Sequence, residues 1–180
     1  MKFLPTALPG AFFVELDQRE DERGFFARTW CRHEFERMGL NANLAQCSMS
    51  YNRRRGTLRG MHWQSAPWAE TKLIRCTQGA IWDAIIDLRP DSPTYTAHIG
   101  LELTAKSGLA LYVPEGMAHG FVTLEDDCVV SYQMTQFYEP ASARGVRWND
   151  PAFGIAWPID HPILHPRDAM YPDFVPASAK

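Results

Sequence analysis

The sequence predicts an all-β domain, an antiparallel sandwich or barrel, on three observations. Short runs rich in β-branched and aromatic residues recur along the chain, turn-forming Gly, Pro, Asn and Asp separate them, and a single helix candidate interrupts them. The runs fall near 11–16, 25–30, 44–51, 57–63, 71–78, 80–88, 95–103, 109–113, 119–124 and 127–135. The helix candidate is Arg32 to Met38, where Phe35 and Met38 stand three residues apart among charged neighbours and Gly39 supplies a stop. Beyond residue 150, Pro158, Pro162, Pro166, Pro172 and Pro176 exclude regular sheet or helix, so this tail is expected to wrap over the surface. No fixed period and no low-complexity block divides the 180 residues, which predicts one domain over 1–180.

Composition narrows the partners. With 46% hydrophobic residues and a net charge of -3, the chain can build a sizeable core and lacks the cationic excess that nucleic acid or an anionic membrane demands. Met1 to Gly10 is broken by Pro5 and Pro9, so it lacks the apolar stretch of a secretory signal, and no later run is long enough for a membrane span. The expected location is the cytoplasm. Cys31, Cys47, Cys76 and Cys128 show no CxxC or Cys/His ligand spacing and are expected to be reduced packing residues.

Strand parity says more than strand count, because alternate side chains of a strand share a face. Asp83 shares its face with Ile81 and Ile85, Lys72 with Ile74 and Cys76, and Tyr132 with Cys128, Val130 and Met134. All three polar groups therefore point inward, where an unpaired charge costs several kcal/mol, about what desolvation takes from an ion. Two readings meet that cost: a pocket lined by these groups, or a buried Lys72–Asp83 ion pair beside a core tyrosine.

Two histidine motifs favour the pocket. In Gly56-Thr-Leu-Arg-Gly-Met-His-Trp-Gln64, strict alternation sends Arg59 and His62 to opposite faces, but Gly60 between them permits a bulge that brings both to one cavity. In Tyr112-Val-Pro-Glu-Gly-Met-Ala-His-Gly-Phe121, Pro114 and Gly116 turn the chain and deliver His119 to the next strand. A lone strand histidine is usually structural. Five titratable groups converging is the pattern of an active site.

The motifs Arg23-Gly-Phe-Phe26, Leu58-Arg-Gly-Met-His-Trp-Gln64, Lys72-Leu-Ile-Arg75, Asp83 to Arg89 with Asp91-Ser-Pro-Thr94, Val113 to Phe121 and Trp148-Asn-Asp-Pro151 follow in this order. Together they resemble the dTDP-4-dehydrorhamnose 3,5-epimerase family over about residues 10 to 170. The resemblance implies a cupin-type double-stranded β-helix, or jelly roll, acting as a homodimer with no metal and no cofactor. It also implies site roles. His62 is the general base, Asp168 its orienting carboxylate, Tyr132 the acid on the opposite face of the sugar, and Lys72 the stabiliser of the enolate oxygen. Arg59 and Arg23 hold phosphate or nearby oxygens, His119 contacts the sugar, Asp83 sits beside Lys72 and His119, and Tyr138 lies against base or sugar. Gln46, Ser48 and Arg167 complete the implied substrate contacts.

These residue types suit the chemistry. A hydrogen beside a ketone is weakly acidic, so its removal needs a base near neutrality and a cation or donor on the developing enolate oxygen. Inversion then needs a proton from the other face. One ketone activates both C3 and C5, and no electrons are transferred.

Some substrate-facing positions depart from the family pattern. Arg28 stands where the family has a glutamate near the nucleobase, Cys47 and Ser48 replace an acidic and amide pair, and Ala143 replaces an acidic residue. A guanidinium suits the N3 acceptor of cytosine, whereas a carboxylate suits the N3–H of thymine, so Arg28 raises a CDP-sugar in place of a dTDP-sugar. The sequence also admits inversion at C3 or C5 alone, a nucleotide-sugar-binding cupin without chemistry, and a metal-dependent oxygenase. The last requires a His-rich HxH set, whereas His62 is followed by Trp63 and Gln64.

Overall fold

The structure, a computed structural model, describes residues 1–176. Its first half runs β1 (Lys2–Pro5), β2 (Phe12–Glu15), β3 (Arg19–Asp21), β4 (Gly24–Phe26), α1 (Arg32–Arg37), β5 (Gln46–Asn52) and β6 (Leu58–Gln64). Then follow β7 (Lys72–Gln78), β8 (Ala80–Asp87), β9 (His98–Thr104), β10 (Ala110–Val113), β11 (Met117–Thr123) and β12 (Cys128–Met134). The chain closes with β13 (Ala143–Gly145) and α2 (Pro166–Ala169). A six-stranded sheet in the order β1-β2-β10-β7-β12-β5 faces a five-stranded sheet in the order β13-β6-β11-β8-β9, and β3-β4 forms a separate hairpin. The strands within each sheet pair antiparallel, giving the jelly-roll sandwich expected.

Alternation sorts the side chains into three cores. Between the sheets, Ile74 and Cys76 of β7, Ile81 and Ile85 of β8, Leu111 of β10, Phe121 of β11 and Cys128 and Val130 of β12 pack together. Their opposite-parity neighbours face outward. On the six-stranded sheet, Val14, Leu73, Ala110 and Tyr112 are covered by Phe35 of α1, whose ring lies 5.1 Å from Phe3 and 5.9 Å from Tyr112. On the five-stranded sheet, Met61, Ala84, Ile86 and Ala118 lie under the tail residues Phe153, Ile155, Trp157 and Phe174.

The tail therefore has a core of its own to cover, and that is what carries it across the sheet. It then bridges Thr57 through Ile163 and turns into α2, which the proline count alone excluded. Pro166 sits at the first helical turn, where its missing N–H leaves no bond unmade. Other expectations also need correction. The strand expected over 25–30 ends at Phe26, and that expected over 95–103 begins at His98. β1, β3 and β13 were not anticipated, being three or four residues long with little alternation. In α1 only Phe35 is buried, while Met38 caps the helix and faces solvent. Cys76 and Cys128 are buried packing residues, but Cys47 is exposed.

The Asp91-Ser-Pro-Thr94 motif is structural. Buried Asp87 accepts bonds from Arg89 Nε at 2.8 Å, Ser92 Oγ at 2.5 Å and Thr94 Oγ1 at 2.7 Å, which closes the turn after β8. No helix among the described residues is long and apolar enough to cross a membrane.

Candidate active site

The sandwich is apolar at one end and polar at the other. On β7 the inward side chains run from Lys72 to Ile74 to Cys76, and on the antiparallel β12 from Met134 and Tyr132 to Val130 and Cys128. The polar ends coincide. There a cavity of about 730 Å³ opens between the sheets, with Arg59, His62, Lys72, His119 and Tyr132 in its wall. Such a volume is within the usual range for small-molecule sites, roughly 300–1,000 Å³.

Two glycines set the geometry. Gly60 adopts φ +134, and a Cβ there would fall 2.4 Å from the Cα of Gly120, so β6 and β11 touch backbone to backbone. The register between them shifts at this point, pairing His62 with His119 across the strands while Arg59 faces Phe121. The bulge brings Arg59 and His62 to one cavity, as Gly60 suggested.

Each histidine has its own carboxylate. His62 Nε2 lies 2.8 Å from Asp168 Oδ1, with side-chain exposures of 29% and 4%. Burial acts to raise the Asp168 carboxyl, but the hydrogen bond and charge of His62, the backbone N–H of Gly60 and the Arg167 guanidinium hold it below the usual carboxylate range. An ionised carboxylate only accepts, so the bond to Asp168 is donated by His62 Nε2, which leaves Nδ1 as the ring nitrogen not bound to Asp168. His119 Nε2 lies 2.7 Å from Asp83 Oδ1, with exposures of 5% and 0%. Burial pushes the Asp83 carboxyl up, against the pull of His119 and Lys72, and its Oδ2 has no partner.

Asp83 is thus the partner of His119 and does not pair with Lys72, which overturns the buried Lys72–Asp83 reading. Lys72 Nζ instead lies 3.1 Å from Glu70 Oε1 and donates to the His62 carbonyl at 3.2 Å. Tyr132 approaches from the other sheet, its ring 6.0 Å from that of His119. Burial drives its phenol far above the ordinary value, the Asp83 charge adds to this, and Arg59 opposes it. The hydroxyl stays protonated and available as a donor.

The remaining sites divide into two groups. Gln46, Ser48, Tyr138 and Arg167 line the cavity with the residues above. Arg59 is steadied by Asn52 Oδ1 at 2.7 Å. Gln64 donates to the carbonyls of Trp68 and Phe137 and accepts from the N–H of Glu139, which fixes the loop bearing Tyr138. Arg23 and Arg28 do not join them. Arg23 is exposed on the β3–β4 hairpin and pairs with Asp21, and Arg28 is exposed and pairs with Glu34 at 3.2 Å.

Sequence reasoning missed Glu70, Arg144, His165 and Tyr171, all in the cavity wall. Glu70 carried a signal, since it shares the parity of Lys72 two residues on. The tail residues carried none. Tyr171 is seated because Gly145 has no side chain, a Cβ there falling 2.1 Å from its ring, and its ring lies 6.3 Å from His62. Among the described residues no three His, Cys, Asp or Glu side chains gather as metal ligands.

A family model described as dTDP-4-dehydrorhamnose 3,5-epimerase matches residues 5–175. The chain belongs to that epimerase family. A dTDP-4-dehydrorhamnose 3,5-epimerase of Shigella flexneri is 35% identical over 98% of both chains. The epimerase structure from Bacillus anthracis, with TDP and PPi bound, superposes with a TM-score of 0.93 at 39% identity, covering 96% of this chain and 99% of that one. A dTDP-4-dehydrorhamnose 3-epimerase of Streptomyces niveus is 36% identical over 93% of this chain and 81% of its own.

Proposed function

We propose that this family member epimerises C3 and C5 of a dTDP-linked 4-keto-6-deoxyhexose in the cytoplasm, in the formation of a rhamnose-type deoxysugar. The observation that carries the reading is the placement of base and acid on different sheets. His62 stands on β6 and Tyr132 on β12, so a sugar in the cavity meets them on opposite faces.

His62 Nδ1 takes the proton from the carbon beside the ketone, and the C–H electron pair moves into the carbonyl to make an enolate. Lys72 donates a hydrogen bond to the negative oxygen. Tyr132 returns a proton to the carbon from the far side, and exchange with water restores the imidazole and the phenol. Repetition at the other carbon completes the reaction without net loss or gain of protons. Asp168 fixes the imidazole tautomer, His119 packs beside the sugar, and Asp83 anchors His119. Arg59, Arg167, Gln46, Ser48 and Tyr138 hold the nucleotide and sugar.

Arg23 and Arg28 lie outside the cavity of their own chain, and Arg28 pairs with Glu34, so the contact that would favour a CDP-sugar is not made within one chain. We place the active form as a homodimer. Phe25 and Phe26 on the hairpin and Met49 on the edge strand β5 are exposed apolar groups suited to a second copy, and Arg23 on that hairpin would then reach the partner's cavity. Inversion at C3 alone is the second reading, favoured by the similarity to the Streptomyces niveus 3-epimerase. Incubation of dTDP-4-keto-6-deoxyglucose with the protein in deuterated water, followed by NMR, tests both. Deuterium at C3 and C5 is expected; deuterium at C3 only selects the second reading, and none at either carbon refutes epimerisation.

A further inference from the structure

We propose that Glu70 is a positioning residue for this reaction, holding the Lys72 ammonium where the enolate oxygen forms; the inference rests on the role given to Lys72 above. Lys72 has a flexible four-carbon stem and three N–H donors. Two of them are directed by the protein, to Glu70 Oε1 at 3.1 Å and to the His62 carbonyl at 3.2 Å. The third is left for a substrate oxygen. Because the second tie runs to the backbone of His62, the ammonium is placed relative to the base itself.

The pair is enclosed, with side-chain exposures of 9% for Glu70 and 11% for Lys72. Asp83 is bonded to His119 and Asp168 to His62, so the ion pair that Lys72 makes is with Glu70. Glu70 and Lys72 share a face across Thr71, whose N–H donates to Thr135 Oγ1 at 2.9 Å and whose hydroxyl bonds the same oxygen at 3.0 Å. That anchor fixes the backbone from which both side chains project.

A double-mutant cycle separates this role from packing. The readout is the turnover number for deuterium uptake at C5 of dTDP-4-keto-6-deoxyglucose, with dTDP affinity measured alongside. Glu70→Gln, which keeps shape and removes charge, is expected to lower turnover about 10- to 100-fold, the scale of a reacting group moved by a fraction of an ångström to an ångström. Affinity for dTDP should hold within about twofold on the same grounds. In a Lys72→Met background the same substitution should have no further effect. An equal loss in both backgrounds, unchanged turnover in Glu70→Gln, or a loss matched by weaker dTDP binding would each overturn the proposal. Wild-type turnover in Lys72→Met alone would instead remove the role of Lys72, and with it the inference.

Discussion

Two histidine–carboxylate pairs face one another across β6 and β11, and they behave in opposite ways. In His62–Asp168 the carboxyl is held low and the imidazole is partly open to the cavity. In His119–Asp83 the carboxyl is pushed up and both groups are almost wholly enclosed. The contacts are nearly equal in length, 2.8 and 2.7 Å, so bond length does not set the difference. The surroundings do. Asp168 gains a backbone N–H and a guanidinium besides its histidine, while Asp83 has one bonded oxygen and one unpartnered. The first pair has the setting that the proposed base requires; the second holds its histidine against a carboxyl with one oxygen left unpartnered.

Removing each histidine should separate the two pairs most widely. His119→Ala leaves Asp83 buried and unpaired and is expected to cost about 3–5 kcal/mol of stability. His62→Ala leaves Asp168 its other partners and should cost about 1 kcal/mol or less. Urea denaturation of both variants gives the comparison, and equal losses would erase the distinction.

Gly60→Ala comes next. The added methyl meets the Gly120 backbone in a region of φ that side chains avoid, so a loss of about 3 kcal/mol is expected. The same variant should slow deuterium exchange, because His62 and His119 both take their register from this contact.

A smaller effect lies in the pH dependence. The depressed Asp168 carboxyl contributes stability that is complete above its unfolded value, about 3.9, and is lost as pH falls through the folded value. Asp83 has the opposite sign: its contribution is complete below about 3.9 and is lost as pH rises through the raised folded value. Denaturation midpoints of Asp168→Asn relative to wild type should therefore converge below about pH 4. The smallest change is expected for Arg167→Gln, whose guanidinium is over half exposed; stability should move by less than about 1 kcal/mol.

The two pairs also differ in how far they could be read from sequence. Parity on β8 turned Asp83 inward, the Gly60 motif placed His62 with Arg59, and Pro114 and Gly116 led to His119, because alternation and turn chemistry act locally. The same logic found Lys72 and Tyr132, although it offered Lys72 the wrong partner. Asp168 was implied only by family resemblance. Its position depends on a tail without periodicity, carried across the sheet by Trp157, Phe153 and Phe174 and tied down at Ile163. Long-range packing of that kind leaves no local pattern. The places of Arg23 and Arg28 were illegible for a related reason, since the short hairpin and the Glu34 contact depend on tertiary placement.

We propose that His62 lifts the proton beside the ketone. Deuterium uptake at C5 of dTDP-4-keto-6-deoxyglucose by His62→Ala, measured at saturating substrate with dTDP affinity determined in parallel, tests it most directly. A fall of about 10²–10⁴-fold with dTDP affinity preserved is expected; uptake at the wild-type rate would contradict the claim.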